Sequence, residues 1–216
     1  MQPVWLTSTP APTTNITGAN QMRTSLFTTA LMLCISIQLP AQEEPKKPVA
    51  TKLKKTKAGF GGFGRYEFKL DGHHCILIKP ETAAVGKPWI WRARFFGHQP
   101  QADIALLKRG FHVAYIEVGG LFGNPEAVER WNLFYGYLTR EHGLSGKVAL
   151  EGMSRGGLII YNWARDNPEK VSCIYGDAPV CDFRSWPGDL YRKSDNRKKP
   201  RCAWAACLKS DGLSEE

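Results

Sequence analysis

The sequence predicts a three-layer α/β domain with a mostly parallel sheet, and three observations carry that prediction. Short apolar runs alternate with stretches of helical periodicity from Tyr66 to Asp177. One of these runs, Phe111–Val118 (FHVAYIEV), is nearly continuous in apolar residues, the pattern of a strand buried on both faces of a parallel sheet. Proline and glycine signals start and stop the helical stretches between the runs, so βαβ crossovers follow.

Tyr66–Leu70 alternates apolar with polar residues, Asp71-Gly72 signals a hairpin, and His74–Lys79 (HCILIK) is the returning strand. Lys87–Phe95 has the period of a strand, with Trp89, Trp91, Ala93 and Phe95 on one face and Ile90, Arg92 and Arg94 on the other. Pro100–Arg109 carries Ile104, Leu106 and Leu107 and stops at Gly110, as a glycine-capped helix does. Asn124-Pro125 opens the next helix with proline at its first position. Val128, Trp131, Phe134, Tyr135 and Leu138 recur along it at helical spacing, and Gly143 ends it. Lys147–Leu150 predicts a strand, Ser154–Asp166 a helix halted by Asn167-Pro168, and Val171–Tyr175 a further strand. A dinucleotide-binding fold shares the alternation, but no strand here leads into a G-x-G-x-x-G turn. The GFGGFG stretch ending at Gly64 reads as a loop, because no helix pattern follows it.

With 216 residues, 43% of them hydrophobic, the chain is long and apolar enough for one domain core with appendages. The formal net charge of +9 raises the question of nucleic acid. Many of the positive residues fall at Lys46–Lys57 and Tyr191–Arg201, outside the patterned core, so they read as solvated segments and no nucleic-acid partner is expected. None of the six cysteines (Cys34, Cys75, Cys173, Cys181, Cys202, Cys207) forms a C-x-x-C pair, which argues against a metal or thioredoxin-like role. Cys75 and Cys173 lie in apolar strands and are expected to be buried thiols. Cys181, Cys202 and Cys207 are the candidates for pairing in an oxidising compartment, with the pairing left open.

Arg23 followed by the apolar Ser25–Leu39 stretch and Pro40-Ala41-Gln42 has the layout of a secretory signal cleaved near Ala41, and the run is short for a membrane span. The expected organisation is an N-terminal extension over residues 1–21 that precedes a true start at Met22, a signal over 22–41 and a Lys/Pro-rich linker over 42–59. A core over 60–184 and a basic, cap-like tail over 185–216 follow. Export, to a periplasmic or extracellular location, is the expected destination.

The most informative segment is Glu151-Gly152-Met153-Ser154-Arg155-Gly156-Gly157, a G-x-S-x-G sequence between a strand and a helix. A nucleophile on so tight a turn needs a strained backbone, and side chains two residues to either side are expected to collide with the strand or the helix. The turn lifts the Ser154 hydroxyl above the sheet at a helix N-terminus, where the Arg155 N–H and the helix dipole favour negative charge. Glu151 as a general acid is discounted, since no partner carboxylate is evident for it.

This segment, with the following IYGDAPVCDF, resembles the α/β-hydrolase superfamily, in particular exported bacterial esterases similar to acetylxylan-esterase and prolyl-oligopeptidase-like hydrolases. The resemblance covers roughly Tyr66–Asp182. It implies a three-layer α/β-hydrolase sandwich, a serine mechanism with no cofactor or metal, and a small-molecule or carbohydrate ester as substrate. It also implies a second oxyanion donor in the loop after the third strand, here Phe95-Phe96-Gly97-His98. The Phe96 N–H is the candidate donor, with Gly97, His98, Gly152 and Gly156 lining the pocket.

The superfamily's order of nucleophile, acid and histidine is not completed here. All five histidines (His73, His74, His98, His112, His142) precede Ser154, and only His98 has an address near the expected site. Asp177 is the candidate acid, although a loop-capping aspartate is the plainer reading of it. By this resemblance the last strands of the sheet are missing and the chain is C-terminally truncated. The expected function is an exported serine hydrolase cleaving a carboxylic ester, such as a carbohydrate acyl ester, through an acyl-enzyme on Ser154, with inactivity of the chain as written the expected consequence of the absent triad histidine. The alternatives are a prolyl-oligopeptidase-like peptidase and a non-catalytic binding protein on a hydrolase scaffold.

Overall fold

A computed structural model describes residues 47–188 and 202–214. The signal segment, Cys34 and the basic stretch from Tyr191 to Arg201 lie outside the described residues.

Alternating patterns produce the first strands. Gly64–Leu70 (β2) pairs antiparallel with His73–Lys79 (β3) across a two-residue turn. Asp71 and Gly72 take positive φ (45° and 84°) in that turn, as a hairpin turn requires. Lys54–Lys55 (β1) pairs with β2, so a strand forms inside the span read as a linker. Buried runs then give the parallel part: Trp89–Arg92 (β4), His112–Ile116 (β5), Val148–Met153 (β6) and Val171–Asp177 (β7). The order across the sheet is β1-β2-β3-β5-β4-β6-β7, with β5, β4, β6 and β7 mutually parallel.

Helix Gln101–Lys108 (α1) crosses from β4 to β5, Pro125–Glu141 (α2) from β5 to β6, and Gly156–Asp166 (α3) from β6 to β7. Asn124 caps α2 by accepting a hydrogen bond from the Ala127 N–H at 3.0 Å, ahead of Pro125 at the first position. Cys202–Ser210 (α4) is tied to the α2 cap by the Asn124 side-chain amide, which donates to the Ser210 carbonyl at 2.7 Å.

Two apolar layers flank the sheet. On one side Trp89, Trp91 and Ala114 pack against Trp131, Phe134 and Trp163 of α2 and α3, with the Trp91 and Trp131 rings stacked at 3.9 Å. On the other, Ile78, Ile90 and Val113 meet Leu107 of α1. The period-two pattern of Trp89-Ile90-Trp91 divides between these layers, which is the three-layer arrangement expected. Each such aromatic pair adds about 1 kcal/mol beyond its burial.

Three expectations are corrected. Arg94 and Phe95 lie in a loop and not in the strand, because the chain turns out of the sheet after Arg92 and Phe95 takes φ 52°. Ser154 and Arg155 form the turn before α3 and not its first residues. Cys173 is exposed, since β7 lies at the end of the sheet with Ser172 through Gly176 exposed, Ile174 and Tyr175 among them.

Strand order reverses between β4 and β6: the chain moves from β4 outward to β5, then returns past β4 to β6. In open α/β sheets the crevice outside the carboxyl ends of such strands is where ligands bind. The loop after β4 and the serine turn after β6 flank it.

Candidate active site

β6 runs straight into the turn. Ser154 takes φ 49°, a left-handed conformation that costs a non-glycine residue about 1 kcal/mol. The turn is held from three sides. The Ser154 N–H donates to the Asp177 carbonyl at 2.9 Å, and the Ser154 carbonyl accepts from the N–H groups of Gly157 (2.9 Å) and Val180 (2.8 Å). Ser154 is exposed, and its hydroxyl has no hydrogen-bond partner among the described residues.

Close packing decides the neighbouring glycines. A Cβ on Gly152 would overlap the tip of Ile160 and lie 3.0 Å from the Gly156 carbonyl oxygen. On Gly157 it would run into the Val180 carbonyl and lie 2.8 Å from the Pro179 side chain. Gly156 differs from the expectation: its nearest neighbour would be the Ala93 Cβ at 3.4 Å, an ordinary contact, because the chain there has already entered the helix. Steric need therefore falls on Gly152 and Gly157.

The loop after β4 approaches the same turn, with the Arg94 Cβ 3.5 Å from where a Gly156 Cβ would stand. Its Phe95–His98 turn closes by the His98 N–H donating to the Phe95 carbonyl at 2.9 Å. Gly97 has φ 83°, and a Cβ there would meet only the Phe60 ring, at 4.0 Å, so backbone conformation is what favours glycine there. The Phe96 ring faces Phe60 (5.2 Å between centroids) and Tyr115 (5.4 Å), anchoring the loop. Among the described residues neither the Phe96 N–H nor the Arg155 N–H donates to a protein acceptor.

Two guanidiniums border this turn. Arg155 lies 5.3 Å from the Phe95 ring centroid and 5.8 Å from that of Trp186, and Arg94 lies 5.8 Å from the Phe95 ring. Desolvation, and then the charge of Arg94, hold the Arg155 pKa below its usual value. A cavity of about 50 Å³ between them is also lined by Val118, Phe122 and Ile159. Phe122 and Gly123 continue into a larger cavity of about 630 Å³ between α2, α3 and α4, lined by Leu158, Tyr161, Phe183 and Cys207 among others.

On the α1 side of the sheet a buried charge cluster supports the same loop. Arg92 ion-pairs with Asp103, stands 3.2 Å from a carboxyl oxygen of Glu151, and donates to the His98 carbonyl. Arg92, Asp103 and Glu151 are all buried. The sequence reading found no partner carboxylate for Glu151; folding supplies Asp103 from α1. Burial, and then the neighbouring Asp103 charge, push the Glu151 carboxyl up to about 8. Arg92, Glu151, His98 and Asp177 line a cavity of about 370 Å³, and Ser154 is not among its lining residues. His98 and Asp177 are thus brought together in a different cavity from the one Arg155 lines, and Ser154 is not among the lining residues of any of these three cavities.

The remaining histidines sit elsewhere. His112 begins β5 and is buried, which pulls its pKa down to about 4. His142 ends α2, and His74 bonds to Glu67 at 3.1 Å on β2. Among the described residues no group of His, Cys, Asp and Glu side chains is placed to hold a metal ion, and no helix is long and apolar enough to cross a membrane. Sequence reasoning missed Arg94, Phe95 and Trp186 as neighbours of the turn; no spacing rule links residues so far apart in the chain.

No protein-family model and no curated protein matches the chain. Solved structures do. Acetyl xylan esterase 1 from Thermoanaerobacterium sp. JW/SL YS485 aligns at 17% identity over 74% of this chain and 65% of its own, with a TM-score of 0.47. The Francisella virulence factor BioJ aligns at 16% identity over 60% of this chain and 46% of its own, with a TM-score of 0.45. Candida antarctica lipase A aligns at 13% identity over 59% and 40% of the two chains, with a TM-score of 0.42. The chain therefore spans less than half the length of the latter two. The sheet order, the crossover helices and the turn between β6 and α3 give the class: the chain has the α/β-hydrolase fold.

Proposed function

We propose that the protein is an exported serine hydrolase that cleaves a carboxylic ester, with a carbohydrate acyl ester as the substrate class. The observation that carries this reading is the exposed Ser154 at φ 49° on a turn between strand and helix, held by three backbone hydrogen bonds. Strain of this kind at an exposed nucleophilic side chain persists where the surrounding structure enforces it. Ser154 attacks the ester carbonyl, the carbonyl carbon becomes tetrahedral, and its oxygen takes the negative charge. The N–H groups of Arg155 and Phe96 are the donors for that oxyanion, supported by the N-terminus of α3. Collapse breaks the C–O bond to the alcohol, the proton lost by the Ser154 hydroxyl passes through solvent to the departing alkoxide, and the acyl-serine that remains is hydrolysed by water. The 630 Å³ cavity supplies apolar room for part of the ester.

Asp177 is the candidate acid of this reading, joined to the turn through its backbone carbonyl. No histidine among the described residues bonds to Ser154. Oxyanion stabilisation without the base leaves a residual acceleration of roughly 10³-fold over water, so slow acylation is the expected behaviour of this chain. That no histidine bonds to Ser154 among the described residues is the one observation that favours the second reading, a binding protein on a hydrolase scaffold. A fluorophosphonate probe and p-nitrophenyl acetate test the proposal: slow, Ser154-dependent modification supports it, and identical behaviour of the chain and its S154A variant sinks it.

A further inference from the structure

Phe95 carries two cations on one ring, and the carboxylate that answers them is already shared. Arg94 ion-pairs with Glu117 at 3.3 Å. The same Glu117 oxygen accepts from the Gly119 N–H, and its other oxygen accepts from the Tyr115 hydroxyl at 2.5 Å. Arg155 has no ion-pair partner among the described residues, and the Nε atoms of both arginines are buried without an acceptor. Two positive charges against one divided negative charge leave a local excess of positive charge at the loop after β4 and the turn that carries Arg155. The 50 Å³ cavity between the guanidiniums is the size of a small planar group, with Val118, Phe122 and Ile159 as apolar walls. Planar forks of this kind favour carboxylates through paired, charge-assisted hydrogen bonds.

We propose that Arg94 and Arg155 form an anion subsite that takes a free carboxylate carried by the ligand, close to the serine turn. It rests on the hydrolase reading only in making that ligand the substrate, which is then an ester of an acidic molecule. The subsite holds an acidic ligand's free carboxylate next to the serine turn and disfavours neutral analogues, because a neutral group leaves the guanidiniums unanswered.

The test is protection of Arg155 from phenylglyoxal in the full chain, read by peptide mass spectrometry. Acetate slows modification of Arg155 by about tenfold, the effect of one charge-assisted pair, while its neutral isostere acetamide does not. R94A and R94K each weaken the protection, and S154A leaves it intact. Circular dichroism confirms that each variant is folded, and R94K serves if R94A is not. No protection by acetate, equal protection by acetamide, or loss of protection in S154A overturns the proposal. Equal protection by sulfate and phosphate overturns the carboxylate assignment. Failure of the hydrolase reading shows separately, as absence of Ser154 labelling with the acetate effect unchanged.

Discussion

The Ser154 N–H donates to the Asp177 carbonyl at 2.9 Å, so the turn after β6 is fastened to the end of β7. The Ser154 carbonyl is fastened again by Val180, three residues beyond Asp177. These bonds hold the serine at φ 49°, a conformation that glycine adopts without steric cost. S154G is therefore expected to raise stability by about 1 kcal/mol in urea denaturation while abolishing all Ser154-dependent chemistry. A loss of stability would mean that the turn is not strained.

The glycines around the serine are expected to separate under mutation. G157A pushes a methyl group into the Val180 backbone carbonyl and should destabilise by roughly 3 kcal/mol. G152A meets mainly the tip of Ile160, so I160V should recover part of its loss in a double-mutant cycle. G156A should cost no more than about 1 kcal/mol. Chemical denaturation of the three glycine variants checks the order, with I160V and the G152A/I160V double variant completing the cycle.

This division also measures what the sequence made legible. The G-x-S-x-G spacing located the turn, and period-two and helical patterns located its flanking elements, because those signals are local. The tertiary approach of Pro179–Val180 to Gly157, which makes that glycine the demanding one, leaves no mark in local spacing. Nor does the meeting of Arg94 with Arg155, or of Asp103 with Glu151, since each pair is joined only by folding. Cys173 looked buried because its run is apolar, but apolarity does not reveal that β7 ends the described sheet.

Stability should depend on pH through Glu151. The folded protein holds the Glu151 proton up to about pH 8, whereas an ordinary carboxyl releases it near 4.5. Its contribution is complete below 4.5 and is lost as pH rises through 8. His112 acts in the opposite sense: its contribution is present above 6.5 and is lost as pH falls towards 4. Between pH 6.5 and 8 the Glu151 effect therefore stands without that of His112, and the melting temperature is expected to fall. E151Q should flatten this part of the profile, and an unchanged slope would contradict the assignment.

Thiol labelling should follow burial. Burial pushes the Cys75 thiol up to about 12, and raises that of Cys207 as well. Cys173 and Cys181 are exposed. Timed alkylation followed by peptide mass spectrometry should modify Cys173 and Cys181 well before Cys75 and Cys207. Early modification of Cys207 would show that α4 does not stay over the 630 Å³ cavity.

The central claim is the proposal that Ser154 is a nucleophile on an oxyanion-binding turn, with no histidine bonded to it among the described residues. The most direct measurement is acylation of Ser154 by p-nitrophenyl acetate, followed by mass spectrometry of the intact chain, with and without imidazole. The expected result is slow acetylation of Ser154, accelerated by imidazole standing in for the base and absent from S154A. No Ser154 adduct under either condition, with the chain folded, would contradict it.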